Sequence, residues 1–320
     1  MIDTIRHHLP HGITLDCRSC GAPGQPLLLF LHGFPEGAFI WDGLMPAFAD
    51  RWRCVAPDLR GYGHSSRPEG LNAYRPEALV QDLVALIACE SPGSPAACVI
   101  AHDWGGALAW KLAIQHPAML QRLLILNAPH PGTFLRELQH SPAQQAASQY
   151  IHYLRRPDAA ERLLADGGRR LLDFFRTPQG GLPDWLTPAL QARYHAHWQS
   201  SLAAACRYYA ANPLRPPRGE DQKIQSLQLP DALLHTDVLT RVLWGLDDAA
   251  LLPALLDGLE QWVPHLTVER LPGASHWLLH EHPTAVLRNL RQLLMTSLPK
   301  NEQSLRTTAA PEADFPLDYG

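Results

Sequence analysis

The strongest constraint on the fold of this chain is a series of short, continuous apolar runs, each followed by a turn or a polar residue. Four of the runs span residues 27–31, 54–56, 97–101 and 123–126, and residues 238–243 and 266–271 are interpreted as the same pattern with polar residues inside the run. An apolar run of this length is typical of a strand that is buried on both faces of a parallel sheet. Helix-period segments lie between several of the runs, for example at residues 76–89 and 105–116. This alternation predicts an α/β fold with a mostly parallel, doubly wound sheet.

The alternation of strands and helices stops after Gly132 and resumes near Val238. The segment between them is rich in Leu, Ala, Arg, Tyr and Trp and has helical periodicity. We therefore expect residues 1–132 and 230–298 to form one α/β core, and residues 133–229 to form a helical cap over the strand ends, where α/β proteins bind ligands. Residues 299–320 mix polar residues with proline, which predicts a disordered C-terminal tail.

Charge and hydropathy indicate which partners to expect. The net charge of −4 is spread without blocks of one sign, so the chain has no field that would attract nucleic acid or an anionic membrane. No stretch reaches the roughly 18 apolar residues that a membrane span requires, and the residues before Gly12 lack the apolar core of a signal peptide. We expect a cytoplasmic monomer or homodimer that acts on a small neutral molecule.

Two patterns that suggest redox or metal chemistry have simpler interpretations. Cys17 and Cys20 form a C-x-x-C pair, but they lie in an alternating run, residues 13–20, that predicts a strand and not the strand-to-helix turn of a redox motif. His195 and His197 are spaced i, i+2, so they point to different faces of a helix. The sequence predicts reduced thiols, no metal and no cofactor.

The main candidate for chemistry is Asp103, in the segment AHDWGG at residues 101–106. The segment joins an apolar strand to a helix with a small-x-nucleophile-x-small pattern, in which aspartate stands where serine is usual. Ala101 and Gly105 avoid the clashes that larger side chains would make where strand and helix come close. This context predicts that Asp103 is a covalent nucleophile at a sharp turn.

Candidate partners follow Asp103 in the chain order nucleophile, acid, base. The segment WGLDD at residues 244–248 ends a strand with two carboxylates, Asp247 and Asp248, and the segment GASHW at residues 273–277 places His276 after the last strand. A carboxylate beside this histidine would hold its tautomer and stabilise the imidazolium.

An earlier strand ends in the segment HGFPE at residues 32–36. Backbone N–H groups in such a turn can point at a developing oxyanion, and we expect the donors to be those of Phe34 and Trp104. The segments that carry Asp103, Asp248, His276 and Phe34 therefore predict one site at the ends of the strands.

The four segments HGFPE, DLRGYG, HDWGG and GASHW resemble those of the epoxide-hydrolase branch of the α/β-hydrolase superfamily, and the resemblance covers most of residues 13–298. It implies an α/β-hydrolase fold with an inserted helical cap, and the conversion of a mostly apolar epoxide and water to a vicinal diol through an ester on Asp103. It also implies that Asp248, five residues before Pro253, is the acid. His32 and Glu36 would support the site, with Glu36 near the hydrolytic water, unless Glu36 is a surface charge.

In epoxide hydrolases two cap tyrosines donate hydrogen bonds to the epoxide oxygen and protonate it as the ring opens. By resemblance the first is Tyr150, with Tyr153 as the fallback, and the second is Tyr209 in the segment CRYYAANP at residues 206–213. The alternative is that these tyrosines only pack in the cap.

Three other functions remain open from the sequence. Haloalkane dehalogenases share the tryptophan at Trp104, but they typically add an asparagine in the turn or a second cap tryptophan, and here Phe34 occupies the turn. Haloacetate dehalogenases have arginine where this chain has Trp104. The third alternative is a non-catalytic protein with a hydrolase fold that binds a small molecule. Such a protein would not need Asp103, Asp248 and His276 in series.

Overall fold

The computed structural model describes residues 1–177 and 179–299. Its central element is an eight-stranded sheet in the order β1-β2-β4-β3-β5-β6-β7-β8. The strands are β1 (Asp3–His8), β2 (Thr14–Cys20), β3 (Leu27–Leu31), β4 (Arg53–Pro57), β5 (Cys98–His102), β6 (Arg122–Leu126), β7 (Leu239–Gly245) and β8 (Leu266–Leu271). β2 pairs antiparallel with β1 and β4, and all other neighbours are parallel. The predicted mostly parallel α/β sheet is confirmed.

The helices occupy the connections between the strands and most of the segment between β6 and β7. The α-helices are α1 (Pro76–Glu90), α2 (Asp103–Gln115), α3 (Pro131–His140), α4 (Pro142–Ala147), α5 (Tyr150–Leu154), α6 (Ala159–Leu164), α7 (Arg169–Leu172), α8 (Pro188–Ala211), α9 (Lys223–Ser226), α10 (Leu278–Glu281) and α11 (Pro283–Met295). Short 3₁₀ segments lie at Ala38–Trp41, Met45–Phe48, Leu71–Tyr74, Pro117–Met119, Asp173–Phe175, Asp231–Leu233, Pro253–Leu256 and Leu259–Gln261. α2 packs against β5 and β6, and α11 against β6 and β7.

The burial of each strand follows its place in the sheet. Every residue of β3, β4 and β5 is buried because each of these strands has a neighbour on both sides and is covered by other elements. β8 contains only half-buried and exposed residues. The expectation that residues 266–271 form a buried strand is therefore wrong, since β8 is an edge strand. β1, at the opposite edge, has no apolar run in sequence and was not expected.

Between β6 and β7 the structure describes α3 to α9, turns, 3₁₀ segments and one isolated bridge from Arg218 to Asp221. α3 begins at Pro131, two positions before the expected start of the cap at residue 133. The boundaries of the cap at residues 133 and 229 stay predictions. The expected disordered tail falls almost wholly on residues 300–320, which lie outside the described residues.

The topology brings the carboxyl ends of the parallel strands to one edge of the sheet. Phe34 follows β3, Asp103 follows β5, Asn127 follows β6, Asp248 follows β7 and His276 follows β8. The thiols of Cys17 and Cys20 are free and buried in β2. None of the described helices is long and apolar enough to cross a bilayer.

Candidate active site

Asp103 lies at the sharp turn between β5 and α2. Its φ of 49° is in the left-handed region, which costs a residue with a side chain about 1–3 kcal/mol and persists only where the surroundings impose it. A Cβ at Gly105 would stand 2.6 Å from the backbone oxygens of Leu31 and His32. Glycine at this position therefore lets α2 approach β3, and this close approach fixes the turn that presents Asp103.

The turn after β3 lies directly against the carboxylate of Asp103. The backbone N–H of Phe34 donates a hydrogen bond to Asp103 Oδ1 at 2.6 Å. A Cβ at Gly33 would be 2.3 Å from that same oxygen, so only glycine leaves room for the carboxylate. The backbone N–H of Trp104 lies in the first turn of α2, where amides have no acceptor within the helix. This position is compatible with its expected role as the second oxyanion donor.

His276 lies between two carboxylates. Its Nε2 is 3.6 Å from Asp103 Oδ2, and its Nδ1 is 2.7 Å from Asp248 Oδ2. Asp248 is buried, whereas its neighbour Asp247 is exposed and donates its backbone N–H to the carbonyl of Ala274. The structure thus brings Asp248, and not Asp247, to the histidine.

Asn127, which the sequence did not single out, holds the far side of Asp248. Its Nδ2 donates to Asp248 Oδ2 at 2.6 Å, and its Oδ1 accepts the N–H of Gly245 at 2.8 Å. Its φ of 38° is also in the left-handed region. The other carboxylate oxygen of Asp248 accepts the N–H groups of Ala250 and Leu251. The available signal was a polar residue directly after the apolar run of β6.

These contacts determine the charges of Asp248 and His276. Burial alone would raise the pKa of Asp248, but the charge of His276 and hydrogen bonds from His276, Asn127 and Leu251 outweigh it, and the pKa is lowered. Burial would lower the pKa of His276, but the carboxylate of Asp248, followed by that of Asp103, raises it to about 9. Because this pKa is above 7 and that of Asp248 is lowered, the imidazole is protonated at neutral pH and Asp248 is ionised.

Glu36 is fully buried in a cluster of polar side chains, and the alternative of a surface charge is wrong. Its Oε1 accepts hydrogen bonds from Tyr194 Oη at 2.5 Å and His280 Nε2 at 2.7 Å. Its Oε2 is 3.4 Å from His102 Nδ1. His102 Nε2 donates to the backbone carbonyl of His276 at 2.9 Å, so Glu36 is linked to the loop of His276 through His102.

The pKa of Glu36 is lowered even though burial alone would raise it, because the charge and hydrogen bond of His280, together with the charge of His102, outweigh desolvation. The cluster joins three distant parts of the chain, since Tyr194 lies in α8 and His280 in α10. Sequence reasoning missed both of these residues. The only local signal was the position of His102 beside Asp103.

His32 contacts the backbone of two loops. A carbonyl can only accept, so its Nδ1 donates to the oxygen of Gly33, and its Nε2 accepts the N–H of Leu59 at 3.0 Å. Burial lowers its pKa, which favours this neutral form. His32 therefore joins the HGFPE turn to the DLRGYG loop.

The tyrosines expected from the cap lie close to each other. Tyr150 begins α5 and Tyr209 lies in the last turn of α8, with ring centroids 6.0 Å apart. Burial raises the pKa of both phenols, and the negative charge of Asp103 adds to the effect. Both hydroxyls are thus protonated and able to donate. The hydroxyl of Tyr153 is buried with no partner among the described residues.

Aromatic rings form the walls beside Asp103. Tyr209 packs edge-to-face on Phe34 and on Trp104, each at 5.2 Å, and Phe174 packs on Phe34 at 5.8 Å. The indole of Trp277 donates to the carbonyl of Phe174 at 2.9 Å, which ties this segment to the loop of His276. An apolar wall with a few polar groups suits a small, mostly apolar ligand.

Comparison with known proteins gives consistent results. A family model described as the alpha/beta hydrolase fold matches residues 26–283. AB hydrolase superfamily protein YfhM of Bacillus subtilis is 34% identical over 284 residues, which are 86% of this chain and 92% of that protein. Epoxide hydrolase 3 of Xenopus tropicalis is 33% identical over 288 residues, 88% of this chain and 75% of that protein. A solved structure of a mutant epoxide hydrolase from Bacillus megaterium is 30% identical with a TM-score of 0.81, covering 91% of this chain and 100% of that chain.

Proposed function

The chain belongs to the α/β-hydrolase superfamily, in its epoxide-hydrolase branch, and on that premise we propose that it hydrolyses an epoxide to a vicinal diol through an ester on Asp103. The observation that carries the proposal is the setting of the Asp103 carboxylate. One of its oxygens is held by the N–H of Phe34, and the other faces His276. Two phenol-bearing residues, Tyr150 and Tyr209, lie close enough for that carboxylate to raise their pKa.

In the first step Asp103 Oδ2 attacks an epoxide carbon, and the bond from that carbon to the ring oxygen breaks. Oδ1 is already engaged by Phe34, which leaves Oδ2 as the attacking atom. The phenols of Tyr150 and Tyr209 hold the ring oxygen, and one gives it a proton. A carboxylate suits this step because it is ionised at neutral pH, whereas a serine would first need to lose its proton.

Ester formation also prepares the base for the second step. In the free enzyme the charge of Asp103 helps to hold the pKa of His276 at about 9. Esterification removes that charge, so the pKa of His276 falls and its proton passes through solvent to the phenolate left by the first step. His276 is then a neutral base that is still oriented by Asp248.

In the second step His276 takes a proton from water, and the hydroxide adds to the carbonyl carbon of the Asp103 ester. The carbonyl oxygen is Oδ1, so the N–H of Phe34, with that of Trp104, receives the oxyanion. The intermediate then expels the alkoxide, which takes the proton of the new carboxyl group and leaves as the diol. Asp103 is again ionised and His276 again protonated, so protons and charge balance over the cycle.

We further propose that residues 133–229 act as a cap over this site, and that Glu36 supports the second step. The cap proposal is supported by Tyr150, Phe174 and Tyr209, which come from this segment and line the site. The chain of contacts from Glu36 through His102 to the loop of His276 supports the second proposal.

The test is single-turnover kinetics with styrene oxide, an aliphatic epoxide and a haloalkane, with the protein-bound ester followed by mass spectrometry. Wild type should form an ester and release diol from an epoxide. Asp103→Asn should form no ester, and His276→Gln should accumulate it because only hydrolysis is blocked. Asp247→Asn, a change at an exposed neighbour of the acid, is the matched control and should behave as wild type, whereas Asp248→Asn should slow hydrolysis.

The tyrosine variants separate this activity from dehalogenation. Tyr150→Phe with Tyr209→Phe should slow opening of the epoxide, and Tyr153→Phe should have little effect. If Tyr153→Phe slowed ring opening and Tyr150→Phe did not, Tyr153 would be the first donor. Release of halide from a haloalkane with no turnover of either epoxide would replace the proposal with a dehalogenase. Absence of any ester would instead support a binding protein.

A further inference from the structure

Arg155 connects the two helices that carry Tyr150 and Tyr209. It follows directly after α5, the helix that begins at Tyr150. Its Nη1 donates to the backbone carbonyl of Tyr209 at 2.6 Å and to that of Asn212 at 2.7 Å. The guanidinium group at the end of α5 thus holds the peptide carbonyl of Tyr209.

The end of α8 is well suited to receive this cation. The last carbonyls of a helix have no partner within it and carry the negative end of the helix dipole. α8 is 24 residues long and ends at Ala211, so the carbonyl of Tyr209 is one of these acceptors. Within residues 1–177 and 179–299 no carboxylate lies at ion-pair distance from Arg155. The two carbonyl oxygens, which carry partial negative charge, are therefore the hydrogen-bond acceptors of this half-buried cation.

α5 needs an external restraint of this kind. It has only five residues, and helices this short are not stable by themselves in water. The backbone N–H of Arg155 donates to the carbonyl of Ile151 at 3.0 Å, so the guanidinium is joined to the turn that carries Tyr150. The long helix α8 can therefore fix the position of the short helix α5 through this side chain.

We propose that Arg155 is a positioning residue that sets the separation of the Tyr150 and Tyr209 phenols, and thereby the rate of epoxide opening. The inference rests on the proposed function of these two tyrosines. Both hydroxyls must reach one oxygen atom, and a misplacement of about 1 Å in a reacting geometry can cost on the order of a hundredfold in rate. Once His276 has lost its proton, ester hydrolysis depends on Asp103 and His276 and neither phenol takes part in it, so its rate should not depend on Arg155.

The test compares three variants of the full chain with styrene oxide as the probe, and measures ester formation and ester hydrolysis separately. Arg155→Met keeps the length of the side chain but removes every donor, and should slow ester formation about ten- to a hundredfold, with hydrolysis within about twofold of wild type. Arg155→Lys keeps a charged donor and should recover part of the loss. Arg156→Met is the matched control, since exposed Arg156 bonds to Asp158 in its own segment, and should leave both steps unchanged.

Each outcome decides the inference. If Arg155→Met slowed both steps equally, in proportion to a loss of folded protein, Arg155 would have a merely structural role and the inference would fail. If it slowed neither step, the inference would also fail. Should Arg155→Met not fold, Arg155→Lys decides, because a rate of ester formation equal to wild type would overturn the proposal. If the wild type formed no ester, the proposed function itself would be refuted. If Tyr150→Phe slowed ester formation and Arg155→Met had no effect, this inference alone would be refuted.

Discussion

Replacement of Asn127 tests the geometry behind the base. In Asn127→Ala the carboxylate of Asp248 loses a hydrogen bond of 2.6 Å from the amide. A hydrogen bond to a charged group contributes about 1.5–3 kcal/mol. The buried N–H of Gly245 also loses its acceptor at 2.8 Å, and an unsatisfied buried donor costs about 1–3 kcal/mol. The free energy of unfolding should therefore fall by about 2.5–6 kcal/mol.

The same change should slow ester hydrolysis more than ester formation. The lost amide holds Asp248 Oδ2, the oxygen that also accepts from His276 Nδ1. If the 1.5–3 kcal/mol of this bond appears fully in the transition state, hydrolysis slows by about ten- to a hundredfold. Attack by Asp103 does not use this oxygen, so the ester should accumulate.

Asn127→Gly separates the hydrogen bonds from the backbone. Both variants lose the same hydrogen bonds, but only alanine carries a Cβ into the left-handed φ of 38°. Asn127→Gly should therefore be more stable than Asn127→Ala by about 1–2 kcal/mol, with the same defect in hydrolysis. Chemical denaturation and rapid-quench kinetics measure the two quantities. Hydrolysis at the wild-type rate in both variants, or equal stability of the two, would refute the reasoning.

Four further predictions concern the charges and the turn around Asp103. The pKa of His276, which its carboxylate neighbours raise to about 9, should fall in Asp103→Asn because one of those negative charges is gone. An NMR titration that gave the same midpoint in the variant and the wild type would contradict this electrostatic account. Since the pKa of His276 is raised above its usual 6.5, the stability that this residue contributes should be complete below pH 6.5 and lost as pH rises through 9. Chemical denaturation of His276→Gln across this pH range should not show that loss. For Glu36 the pH dependence is opposite, because its pKa is lowered from 4.5, and the stability that it contributes should be lost as pH falls below 4.5. In Glu36→Gln the free energy of unfolding should therefore fall less steeply at acid pH. Gly33→Ala should reduce ester formation by about a hundredfold because its Cβ would meet the Asp103 carboxylate at 2.3 Å, whereas Gly43→Ala, with open space around it, should have no effect on the kinetics.

The long-range hydrogen bonds of the candidate site had no signal in the sequence. Tyr194 and Glu36 are separated by 158 positions, and Arg155 and Tyr209 by 54 positions. The sequence around one residue of such a pair does not indicate the other residue. The contact depends on how the helices between β6 and β7 pack on the core. For Asn127 the sequence showed only a polar residue directly after the apolar run of β6, and its contact with Asp248 depends on β7 lying beside β6.

The sequence by itself determined the parallel sheet and the turn at Asp103, because both depend on neighbours along the chain. An apolar run followed by a turn is a local signal for a buried strand, and the small residues beside Asp103 are a local requirement of the elbow. The sequence could not show that β8 is an exposed edge strand, because strand order in a sheet is set by packing. Asp247 and Asp248 are adjacent and chemically identical, and their side chains point in different directions from one loop. The family resemblance favoured Asp248, but the residues alone did not separate the two, and the tertiary structure does so by burying Asp248 against His276 and leaving Asp247 in solvent.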